Sequence, residues 1–89
     1  MGVVDDLADD LARKTLEAMD EMGDDRFYNE VSKVLGASSP TLQEAFLTSM
    51  RVRLAARRGD VFISGTLKAR REGGKAPAAP RDVEPLGGH

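Results

Sequence analysis

The residue types able to carry chemistry in this chain are one imidazole, a patch of carboxylates and a run of arginines. The imidazole is His89, at the end of a proline- and glycine-rich stretch, and cysteine is absent. Nucleophile–base pairs of the Ser–His or Cys–His kind therefore have no usable partner. Zinc would have to be held by Asp and Glu alone, which it rarely accepts, and the Glu-x-x-His pairs of di-iron bundles do not occur. Asp20, Glu21, Asp24 and Asp25 cluster in sequence and could face a hard cation, but their spacing is not that of an EF-hand loop. They read instead as a solvated face and as caps. Gly73-Gly74 and Gly87-Gly88 lack the preceding strand and following helix of a phosphate cradle. No apolar cleft is marked around any carboxylate that would raise its pKa for acid–base work. The reading is a non-enzymatic chain with no metal site and no cofactor.

The arginines remain. Arg51, Arg53, Arg57, Arg58, Lys68, Arg70 and Arg71 are candidates for contact with a partner or with phosphate. The net charge of −2 hides their weight: residues 1–25 hold nine acidic and two basic side chains, whereas residues 45–75 hold eight basic and two acidic. Such polarity can be satisfied within the chain, by a second copy or by another partner. The segment 26–58 also has the helix–turn–helix spacing of DNA readers. The start of its second helix, Pro40-Thr41-Leu42-Gln43-Glu44, has no basic residue to read a base. The chain as a whole is acidic where DNA readers are usually basic.

The elements that must position these groups are helices. Val4 to Met22 places Val4, Leu7, Ala8, Leu11, Ala12, Ala18, Met19 and Met22 on one half of a helical wheel and charges on the other. Asp9–Arg13 and Asp10–Lys14 are i,i+4 pairs in the favoured order, and Gly23 closes the helix. Asp20 and Glu21 stand at its C-terminal end, where the dipole disfavours anions. A second helix runs from about Arg26 to Leu35, capped by Asp24 or Asp25 and stopped by Gly36, with Phe27, Val31, Val34 and Leu35 as its apolar face. Ser39-Pro40 starts a third helix, serine as N-cap and proline at the first helical position. That helix is expected to end at Gly59.

Its apolar surface, which includes Leu42, Ala45, Phe46, Leu47, Met50, Leu54 and Ala56, is broad enough to be covered on more than one side. Arg53 and Arg57 share that half, their stems placed to lie along a neighbour. Asp60 then caps a fourth helix over 61–71, with a small hairpin through Ser64-Gly65 as the competing arrangement. Residues 73–89 read as a disordered tail with little to bury.

The expected fold is all-α: a small bundle of three to four antiparallel helices over residues 1–72, followed by that tail. No run of about 18 apolar residues predicts a membrane helix, and the acidic start is unlike a signal peptide, so the expected compartment is the cytoplasm. With about 70 ordered residues and few aromatics, the core yields only a few kcal/mol, a limit that self-association relieves. The expected function is a small protein–protein interaction or assembly module, a homodimer or the binder of a small protein, with Leu47, Met50 and Leu54 as its apolar contact. The alternative is a regulatory nucleic-acid binder using the basic region 51–71.

Overall fold

The computed structural model describes residues 2–73. These form three helices, α1 Val3–Met22, α2 Phe27–Ser38 and α3 Pro40–Arg71, with no strand among the described residues. No described helix is long and apolar enough to cross a membrane. The expected tail lies outside the described residues apart from Gly73. The chain divides after Val52 into two compact units, so α3 contributes to both.

In the first unit α1 packs against α2. The acidic first turn of α1, Asp5 and Asp6, sits at the positive end of the helix dipole. Gly23 ends the helix with a left-handed φ of 67°, its N–H donating to the Met19 carbonyl, a conformation glycine adopts without steric cost. The wheel overstates what α1 buries: Ala8, Ala12, Thr15, Leu16 and Met19 are in the core, whereas Val4, Leu7 and Met22 are exposed. Thr15 tolerates burial because its hydroxyl donates to the Leu11 carbonyl at 2.7 Å.

The start of α2 corrects the expected cap. Neither Asp24 nor Asp25 occupies the cap position, which is Arg26. Asp24 instead accepts the Arg26 N–H at 2.9 Å, bending the link as an Asx turn. Gly36 does not stop α2, which continues to Ser38. Val34, expected in the core, is exposed, and Ser32 is buried. The reason is Gln43 of α3, whose amide donates to the Ser32 carbonyl at 3.0 Å and lies 3.2 Å from the Ser32 hydroxyl. A Cβ on Gly36 would lie 2.5 Å from that same amide nitrogen, so glycine admits the Gln43 side chain.

Ser39 alone links α2 to α3. Its hydroxyl accepts the Leu42 N–H at 3.1 Å, the N-cap that Ser39-Pro40 predicts. Phe46 and Met50 are fully buried and complete the core of this unit.

In the second unit the described residues are the rest of α3, 53–71, and the two that follow. The helix does not end at Gly59, and no separate fourth helix starts at Asp60. Residues 61–71 are helical, which excludes the hairpin. One glycine costs a helix interior about 1 kcal/mol, and the flanking Leu54-Ala55-Ala56-Arg57-Arg58 are good helix formers with no proline to break the run.

Candidate functional site

The first unit holds three of the expected contact residues. Met50 is fully buried, so it has no surface to offer a partner; its place as a contact residue is corrected to that of a core residue. Leu47 is half-buried and Arg51 is exposed. Beside them on α3, the Ser49 hydroxyl donates to the Asp9 carboxylate at 2.8 Å, tying α3 to α1. The sequence pattern pairs Asp9 with Arg13, but Arg13 turns to Asp10 at 3.1 Å, while Lys14 meets the other oxygen of Asp10 at 3.0 Å. The hydrogen bond and charge of Lys14 hold the Asp10 carboxyl below its usual range, against a small opposing desolvation, with Arg13 adding to the effect.

The second unit holds the others. Leu54 and Arg53 are half-buried, and Arg57, Arg58, Lys68, Arg70 and Arg71 are exposed. Arg53, Arg57 and Arg58 each take part in an interaction. At about 100° per residue, Arg53, Arg57, Lys68 and Arg71 share one side of the helix, Arg58 lies nearly opposite, and Arg70 falls between.

Next to that basic side runs a row that sequence reasoning did not single out: Ala56, Ile63 and Leu67, all exposed, with Ile63 at 58% and Leu67 at 47%. Its signal was the i,i+7,i+11 spacing, obscured by the expected break at Gly59. The opposite side of the helix, formed by Phe62, Gly65, Thr66 and Ala69, is half-buried, and the Thr66 hydroxyl is shielded there without a hydrogen-bond partner.

Among the described residues no three acidic, His or Cys side chains converge as a metal site requires. Asp24 is committed to the Arg26 N–H, and Glu21 and Asp25 are exposed. No protein family, curated protein or solved structure matches the chain.

Proposed function

We propose that this chain is a small, non-enzymatic helical-bundle module that assembles through protein–protein contact, foremost with a second copy of itself. The observation that carries the reading is the helix over 53–71. Its row of Ala56, Ile63 and Leu67 is exposed, and Val61 on another side is 72% exposed. A lone helix of this length is marginal in water and draws its stability from packing an apolar face. The core of the first unit is small, with Phe46 and Met50 its largest fully buried side chains, so association would add burial that one chain lacks. Leu47 and Leu54, both half-buried, can contribute at the edge of such a contact. The inventory of side chains supports a non-enzymatic role, since cysteine is absent and His89 is the only imidazole.

Sedimentation velocity at micromolar concentration tests this, with about twice the chain mass expected. A species of single-chain mass at every concentration up to about a millimolar would overturn self-assembly.

A second reading, nucleic-acid binding, is favoured by one observation: Arg53, Arg57, Lys68 and Arg71 lie along one side of the helix. It requires duplex affinity at about 0.15 M salt, falling steeply as salt rises. Absence of such binding at that salt leaves assembly as the reading.

A further inference from the structure

Resting on self-assembly, the proposal here names the surfaces that meet. We propose that α1 of one copy docks, in parallel orientation, on the α3 segment 53–71 of a second copy.

The two surfaces share a spacing. On α1, Leu11, Ala18 and Met22 run along one side outside the buried arc, Leu11 and Ala18 half-buried and Met22 exposed. On α3, Ala56, Ile63 and Leu67 repeat the same steps of seven and four residues. In register, Leu11 meets Ala56, Ala18 meets Ile63 and Met22 meets Leu67, so a large side chain faces a small one at two of three levels, as interdigitation needs.

Charge selects the occupant and its direction. Each α1 row position is preceded by an acid: Asp10, Glu17 and Glu21. The α3 row is flanked on its following side by Arg57 and Lys68, with Arg71 one turn beyond Leu67. In a parallel helix pair, the edge preceding the seam of one helix faces the edge following the seam of the other. The acidic edge of α1 then lies along the basic edge of α3. Two α3 segments facing each other would set Lys68, Arg70 and Arg71 against like charges, and two α1 helices would oppose their acids. A twofold-related pair of copies contains the α1–α3 contact twice and closes.

Four chains test this by sedimentation equilibrium: the wild type, Ile63→Asp/Leu67→Asp, Glu17→Lys/Glu21→Lys, and Lys68→Glu/Arg71→Glu. The substituted side chains are exposed, so circular dichroism should match the wild type. The apolar variant should lose self-association by about a hundredfold or more, the order expected when two apolar anchors are replaced by charges. Each charge-reversed variant alone should weaken it about tenfold. An equimolar mixture of the two should regain wild-type association as a mixed pair, because both contacts are then attractive again. Undiminished self-association of the apolar variant, or no recovery on mixing, overturns this contact while leaving self-assembly standing. A wild-type chain that never self-associates overturns both.

Discussion

Phe46 and Ile63 belong to one helix, yet Phe46 has no exposed surface and Ile63 keeps 58% of its own. Both are large and apolar, and both sit in an unbroken helix, so neither hydrophobicity nor local conformation separates them. Surroundings do. Around Phe46 the core draws Ala8, Ala12, Leu16 and Met19 from α1 and Ser32 from α2, and polar ties at Ser49–Asp9 and Gln43–Ser32 link those helices. Among the described residues the second unit has only its helix. An apolar side chain in the first region serves folding; in the second it is available for recognition.

The largest expected effect sharpens that contrast. Phe46→Ala should cost about 3–5 kcal/mol, comparable to the whole stability of a core this size, and thermal melting should show the chain largely unfolded at 25 °C. Ile63→Ala, measured at a concentration too low for association, should fall within about 0.5 kcal/mol of wild type. Equal losses at the two positions would erase the distinction.

A smaller effect comes from the two helical glycines. Gly59 has open space where a Cβ would stand, so Gly59→Ala should stabilise the helix by about 0.8–1 kcal/mol and slow amide exchange around it. Gly36→Ala gains the same propensity but displaces the Gln43 amide, whose hydrogen bonds with Ser32 are each worth about 0.5–1.5 kcal/mol. Chemical denaturation should find it neutral to destabilised. A stabilising Gly36→Ala would show that Gln43 can be moved at no cost.

The smallest effect concerns Asp10. Its carboxyl titrates below the usual range, chiefly through Lys14. For a depressed acid, the associated stability is present above the ordinary pKa and is lost as pH falls through the folded value. Lys14→Gln should move the Asp10 titration upward, followed by carboxyl chemical shifts, with little change in melting at pH 7. An unmoved titration would assign the shift to Arg13.

The all-helical class was legible in the residues, as were the span of α1 and the Ser39-Pro40 start, because periodicity and capping are local. Gly23, Gly36 and Gly59 look alike in sequence, yet only Gly23 takes a left-handed φ. The other two are helical, one beside Gln43 and one in open space, and spacing alone distinguishes neither from a stop. Met50 was misplaced because its neighbours on α3 form a stripe too broad to reveal which part faces inward. The exposure of Arg51, Arg58, Lys68, Arg70 and Arg71 could be anticipated from charge. The row of Ala56, Ile63 and Leu67 could not be seen while a break was placed at Gly59.

The single residue between α2 and α3 bears on how the chain could be redesigned. Ser39 donates its N–H to Leu35 at 2.8 Å, receives the Gln43 N–H on its carbonyl at 3.0 Å and caps Leu42 with its hydroxyl, so every polar group it owns is already used. An inserted residue at this joint would shift Gln43 out of register with Ser32. The link from Gly23 to Arg26 carries fewer such obligations and is exposed at Gly23, Asp25 and Arg26. A reporter group, a longer loop or new chain termini belong there, where the helices on either side can keep their phase.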